Sequence, residues 1–289
     1  RWKIRRAVSS IRWNHFISLP SRSRVPLTDW AIPKLPRAIL ALTISLLAWG
    51  QTSTPEVSLA PPRIKVVLDP GHGGEDTGAL GRTGLKEKEA ALDLARKLRP
   101  LLEKAGFDVL MTREDDTFVP LWDRARWANA QEADLFVSLH LNAARARAAK
   151  GSEVYFLSLD QGDADAAEVA ALENAGAGEA PGPEGVLADI LQDLAQKAYL
   201  RASEQLAESI LVQLNRLGGI KQRGVKQAPF VVLRGAAMPA VLVEVAFLSN
   251  PREERRLKDE AFRKRVVEAI ALGVRRFVAA SGGTPRRRT

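Results

Sequence analysis

Between residues 64 and 280 the chain alternates short, β-branched apolar runs with stretches of helical periodicity, and this alternation restricts the fold to an α/β layered domain. IKVVLD (64–69), FDVLMT (107–112), DLFVSLH (134–140), EVYFLS (153–158), FVVL (230–233) and AVLVEVAF (240–247) read as strands. From Glu87 to Lys104 the residues Ala91, Leu94, Ala95, Leu98 and Leu102 fall at helical spacing, and Gly106 ends the helix. WDRARWANA (122–130) and residues 252–280 read as two further helices, the second long and amphipathic. The expected architecture is a single layered domain over 63–280, a mixed, mostly parallel β-sheet flanked by helices, plus a helical/loop insertion.

The insertion is expected at 159–196, where DQGDADAAEVAALENAGAGEAPGPEG breaks the rhythm before LADILQDLAQKAYL resumes a helical pattern. A connection this long inside a compact domain is usually functional or a flexible surface excursion. Residues 1–50 form a basic leader with a signal-like apolar segment, AILALTISLLAW (38–49), preceded by Lys34 and Arg37. The segment is short for a bilayer span and has the length of a secretory signal core; a buried helix and a retained anchor are the alternatives. Residues 51–62 read as a polar, proline-bearing linker and 281–289 as a basic tail.

Net charge is +9, yet nine Lys/Arg lie in residues 1–37 and three in the tail. Setting these aside leaves 31 basic and 33 acidic residues between 38 and 285, so the folded body is near neutral and a nucleic-acid partner is not expected. The chain contains no cysteine, which excludes thiolate metal sites, disulfides and a cysteine nucleophile.

Two histidines fall at or just after the C-terminal ends of strands, the edge where open α/β sheets bind ligands. His72 lies among Gly71, Gly73 and Gly74, and His140 ends a strand in which Ser138, His140 and Asn142 share one side. Glu244 interrupts the apolar LVEVAF, where an ionised carboxylate is costly unless paired or bound to a cation. Its readings are a salt bridge or a proton-transfer group facing a metal-bound water. Glu87, at a helix start, is a further carboxylate that also suits the helix dipole. Two imidazoles and a carboxylate can hold Zn²⁺ at about 2.0–2.2 Å with a fourth position open. The residues alone therefore support a metal hydrolase, with structural histidines as the bland alternative.

VVLDPGHGGEDTGALGRTGLKEKEAALDLARKL (66–98), TREDDTFVPLWDRARWANAQEADLFVSLHLNA (112–143) and PAVLVEVAFLSNPREERRL (239–257) resemble, in order, three blocks of the zinc-dependent N-acetylmuramoyl-L-alanine amidases of the amidase-3 family. The resemblance spans about 63–280 and implies a hydrolase that cuts peptidoglycan between N-acetylmuramic acid and the L-alanine of its stem peptide. It implies His72, Glu87 and His140 as zinc ligands, Glu244 as catalytic glutamate, and supporting roles for Asn142 and Arg124. The insertion resembles that of the septum-splitting cell-division amidases, in which a helix covers the zinc until an activator protein displaces it. By that resemblance Glu173, Glu179 or Glu184 is expected to occupy the open zinc position. An exported protein of the periplasm or cell envelope follows, touching the membrane only transiently through its signal segment. Two competing expectations are a zinc peptidase of the stem peptides and a catalytically dead wall-binding protein.

Overall fold

The computed structural model describes residues 63–158, 164–178, 186–218 and 220–283. The leader and linker (1–62), Glu179, Glu184 and the tail beyond residue 283 lie outside the described residues.

In chain order the elements are β1 (Lys65–Pro70), α1 (Glu87–Lys104), β2 (Asp108–Met111), α2 (Leu121–Ala130), β3 (Leu135–Asn142), β4 (Ser152–Leu157), α3 (Ala164–Glu173), α4 (Val186–Leu214), β5 (Gln222–Ala228), β6 (Ala240–Phe247), α5 (Pro251–Lys258) and α6 (Glu260–Ala280). The strands form one six-stranded sheet in the order β2-β1-β3-β6-β4-β5. Every neighbouring pair is parallel except β4 and β6. The sheet is therefore mixed and mostly parallel, as the alternating pattern implies.

Strand periodicity sorts side chains onto two apolar layers. Val66, Leu68, Val137, Leu139, Val241 and Val243 pack with α1, α4 and α6 through Leu94, Leu98, Ile210, Val266 and Ile270. Val67, Phe136, Tyr155 and Leu242 point the other way and pack with Ala125 and Ala128 of α2, Ala166 and Ala170 of α3, and Phe230. Both faces of the sheet are covered, which is why β3 and β6 are buried along their whole length. Among the described residues no helix is long and apolar enough to cross a membrane.

Three local readings of the sequence are corrected. FVVL (230–233) is not a strand: Val231–Leu233 forms a single 3-10 turn whose side chains fill the α2-side core. So short an apolar run does not distinguish a strand from a buried turn. The sixth strand is instead the polar QRGVKQA of β5, an edge strand whose register shifts opposite Ser152–Val154, where Gly224 takes a φ of +100°. Residues 252–280 form two helices, because Asp259 leaves helical geometry and its carboxylate caps α6 by accepting from the Ala261 amide.

Candidate metal centre and active site

Apart from Ser152, the polar residues buried in the sheet lie on one of its faces. By the period of two, Asp69 follows Val67, Ser138 and His140 follow Phe136, Glu244 follows Leu242, and Glu153 shares a side with Tyr155. The register aligns His140 of β3 with Glu244 of β6, and Glu244 with Glu153 of β4, in one row across three strands.

Beyond β1 the chain turns through Gly71–Gly74, where His72 itself has a φ of +59°. That conformation is uncommon for a residue with a side chain and persists only when its surroundings enforce it. Two buried arginines supply the enforcement. Arg124 donates through Nη1 to Asp69 Oδ1 and Pro70 O, both at 2.9 Å, and through Nη2 to His72 O at 2.9 Å. Arg113 donates through Nε to Pro70 O at 3.0 Å and through Nη2 to Gly71 O at 2.7 Å and Lys88 O at 2.9 Å. One nitrogen of Arg113 therefore ties the histidine loop to the first turn of α1, which carries Glu87. Burial, then the Arg124 charge, lowers Arg113 to about 10, still fully charged near neutrality. Burial opposes the charged form of Asp69, but Arg124, Thr112 and Ser138 outweigh it and hold the carboxyl below its ordinary range. Glycine is required twice here: a Cβ on Gly71 would lie 2.4 Å from the His140 ring, and one on Gly78 would lie 2.5 Å from the His72 ring.

Four side chains converge on one point. His72, Glu87, His140 and Glu173 each offer a ligand atom within 4.8 Å of the others. His72 Nε2 lies 3.2 Å from Glu87 Oε2 and 3.3 Å from Glu173 Oε2, and His140 Nδ1 lies 3.1 Å from Glu87 Oε1 and 2.7 Å from Glu173 Oε2. Ligand atoms of a tetrahedral zinc site stand about 3.3–3.6 Å apart, so the cage has the right size. His72 Nε2 and Glu173 Oε2 are buried without an aligned hydrogen bond, as atoms aimed at a common ion would be. His72 is oriented by Asp76, whose Oδ2 lies 2.8 Å from Nδ1. Glu87 is fixed by the amides of Ala79 and Leu141. Burial disfavours charge on both rings, yet the Glu87 charge raises His72 and the Glu173 charge pushes His140 up to about 10. The two rings meet edge to face at 4.9 Å. The carboxylates thus demand positive charge at the centre, and a single dication meets that demand without forcing two imidazolium rings together. The donor set fits zinc.

Glu244 is fully buried, and among the described residues neither of its oxygens has a hydrogen-bond partner. Burial, then the neighbouring Glu173 carboxylate, pushes its carboxyl well above the usual range. Among the described residues no salt bridge accounts for it. Next in the row, Glu153 accepts from Asn142 Nδ2 at 2.9 Å and Tyr155 OH at 2.7 Å through Oε2, and pairs through Oε1 with Arg223 Nε at 2.5 Å and Lys226 Nζ at 2.8 Å.

Of the residues singled out in the sequence, His72, Glu87, His140 and Glu173 form the cage, Glu244 stands beside His140 in the sheet, Asn142 braces Glu153, and Arg124 braces the loop. Asp76, Arg113, Glu153, Arg223 and Lys226 escaped notice. Glu153 had a readable signal, a carboxylate opening the apolar EVYFLS, of the kind that exposes Glu244. Arg113 and the β5 cations had none, since they come from a loop and a polar edge strand.

The fold sets a cage able to hold a metal ion on an α/β sheet, and comparison with known proteins narrows the class. The profile of the amidase-3 family, N-acetylmuramoyl-L-alanine amidase, matches residues 66–276. The N-acetylmuramoyl-L-alanine amidase AmiC of Neisseria meningitidis is 41% identical over 239 residues, 81% of this chain and 58% of that protein. AmiA of Escherichia coli is 39% identical over 227 residues, 77% of this chain and 78% of that protein. The crystal structure of the N-acetylmuramoyl-L-alanine amidase from Clostridium difficile 630 superposes with a TM-score of 0.60 at 29% identity, covering 76% of this chain and 99% of that one. This chain belongs to the amidase-3 family of N-acetylmuramoyl-L-alanine amidases.

Proposed function

We propose that the chain hydrolyses the amide between N-acetylmuramic acid and the L-alanine of the peptidoglycan stem peptide, with His72, Glu87 and His140 holding Zn²⁺ and Glu244 moving the proton. The observation that carries this reading is the convergence of three buried donors and the half-buried Glu173 beside a buried carboxylate that has no hydrogen-bond partner among the described residues. When bound, zinc supplies activation of a water and polarisation of the scissile carbonyl. Glu244 takes the proton from the attacking water and returns it to the departing amine of L-alanine. Asp76 fixes the tautomer and orientation of His72, as outer partners of metal ligands do. Arg113 and Arg124 hold the loop.

Glu173 takes the position that water and substrate need. The resting chain is therefore closed, and an activator protein that draws α3 away opens it. Of the three glutamates expected to fill this role, Glu173 is the one within the described residues. The signal-like segment at 38–49 makes the protein an exported one that acts on the wall in the periplasm or cell envelope, in keeping with a role in cell division.

The test is digestion of isolated peptidoglycan sacculi by the purified chain, with and without chelator, in wild-type and Glu173→Ala forms. Release of stem peptides beginning with L-alanine, lost on chelation and restored by Zn²⁺, is the expected result. Fragments in which muramic acid keeps its L-alanine would identify a peptidase of the stem instead. Undigested sacculi with metal-loaded Glu173→Ala protein would leave a wall binder.

A further inference from the structure

The row of charges that begins at the metal cage does not end at Glu244. It continues through Glu153 to two cations on β5, and the charges there do not balance. One carboxylate, Glu153, is met by four donors: Asn142, Tyr155, Arg223 and Lys226. A single cation would satisfy a buried carboxylate; two leave a net charge of +1 among these three ionised groups. Both cationic side chains keep a partly open flank, 22% for Arg223 and 14% for Lys226, whereas Glu153 keeps 1%. Arg223 is further held by the Phe247 ring, its guanidinium carbon 5.0 Å from the ring centroid. A cation fixed on an aromatic face, pinned by a buried carboxylate and open on one side is pre-organised to receive an anion.

The position is as informative as the charge. Neighbouring strands lie about 4.8 Å apart, so Glu153, two strands from His140, stands about 10 Å along the row, and β5, three strands away, about 14 Å. An extended peptide advances about 3.3–3.6 Å per residue. A stem peptide whose first amide lies at the metal and Glu244 brings the side chains of its second and third residues over β4 and β5. We infer that Arg223 and Lys226, braced by Glu153, form a subsite for a free carboxylate on the second or third residue of the stem peptide, an inference that rests on the amidase reading above for where the peptide begins.

The insertion gives independent support, because it supplies carboxylates at both ends of the same track. Glu173, at the C-terminal end of α3, enters the metal cage, while Asp165, in its first turn, adds to the negative charge felt by Arg223. Eight helical residues rise about 12 Å, the separation expected between the metal and the cations. α3 also packs on β5. The closed chain thus fills the track with a mimic of the acidic ligand, one carboxylate at the reacting centre and one at the cationic end.

The probe is a pair of synthetic muramyl tripeptides, identical except that the carboxyl groups on the second and third residues are free in one and amidated in the other. Both are assayed for kcat/KM and for equilibrium binding with the full chain carrying Glu173→Ala, so that the closed state does not limit either measurement. The free acid is expected to be preferred about tenfold. Arg223→Gln or Lys226→Gln should bring that ratio towards one by raising KM for the acid, with kcat and the amide's KM little changed. Arg223→Lys, which keeps the charge, should retain most of the preference. Should Arg223→Gln unfold the protein by stranding Glu153, the Asp165→Asn variant, made in the full chain that carries Glu173→Ala, carries the test, since Asp165 is exposed. That variant should bind the acid several-fold more tightly and the amide no differently. Equal handling of acid and amide by the Glu173→Ala chain, or a preference that survives both glutamine variants, overturns the subsite. Absence of cleavage with the binding preference intact would overturn the amidase reading and leave the subsite standing.

Discussion

The candidate site has two walls built on opposite terms. The inner wall, formed by the loop after β1, the start of α1 and the end of β3, is held by charge-assisted bonds. Arg113 donates to the carbonyls of Pro70, Gly71, Lys88 and Asp115, and Arg124 donates to Asp69 and the carbonyls of Pro70, His72 and Val119. Such bonds are worth about 1.5–3 kcal/mol each when a charged group is involved. The outer wall is α3. Its two fully buried side chains are Ala166 and Ala170, each offering little more than a methyl group, about 0.8 kcal/mol apiece. It is held further by the partly buried Val169, by the charge of Asp165 towards Arg223, by Glu173 in the cage and by Asn174, whose Nδ2 donates to Pro229 O at 2.9 Å and whose Oδ1 accepts from Val231 N at 2.8 Å. On the closed state proposed above, the inner wall stays in one geometry and the outer leaves without disturbing the sheet behind it.

The strongest way to break this contrast is to show that chemistry and metal binding cannot be separated within the inner wall. Glu244 is not one of the four cage donors and, among the described residues, makes no hydrogen bond to the loop or to α1, so Glu244→Ala should lower turnover about 10²–10⁴-fold while the zinc content, measured by elemental analysis, stays at that of the wild type. Loss of both together would make Glu244 part of the metal cage. The next largest effect belongs to the outer wall: Glu173→Ala should raise basal turnover on sacculi by more than about tenfold, since a buried ion pair resists separation by several kcal/mol. Unchanged turnover would mean that α3 is not what closes the site. Within the inner wall, Arg113→Lys keeps the charge but loses the fork that ties Gly71 O to Lys88 O. Zinc affinity, measured by chelator competition, should fall about 10–100-fold, while amide exchange in α3 remains as in the wild type. Faster exchange in α3 would show that the two walls are one mechanical unit.

The same contrast explains what could be read from the sequence. The inner wall was legible because its residues break a pattern: Glu244 sits in a strand otherwise uniformly apolar, His140 shares one side of an otherwise apolar strand with Ser138 and Asn142, and His72 sits among glycines that a packed loop would not need. The sheet and most helices followed from apolar periodicity for the same reason. β5 was not legible, since an edge strand carrying Arg223 and Lys226 has no apolar face to announce it, and FVVL took its place in the reading because burial alone does not set backbone geometry. The outer wall was legible only as an interruption. Acidity over 159–196 pointed to carboxylates, but the choice of Glu173 depends on which one follows a helix whose alanines seat it against Tyr155 and Phe230, a tertiary fact. Arg113 was hidden because its partners are backbone carbonyls, which carry no side-chain signature.

Asn174 offers the smallest and most discriminating perturbation. It neighbours Glu173, yet its bonds run away from the metal cage, to the backbone on either side of Phe230. Asn174→Ala removes two hydrogen bonds and leaves the Pro229 carbonyl and the Val231 amide to find water, a loss of about 1–2 kcal/mol. If α3 opens as a unit, that energy appears in full in its opening equilibrium, and the open population rises about five- to thirtyfold. Amide exchange over 164–173 should accelerate by that factor, basal turnover should rise with it, and zinc affinity should not weaken. A rise in turnover without faster exchange would mean that Glu173 swings out by itself while α3 stays docked. Faster exchange without a rise in turnover would mean that Glu173 holds the cage after the helix has let go. Either result would relocate the latch from the helix to a single side chain, and only the coupled result makes the outer wall a door hinged away from its lock.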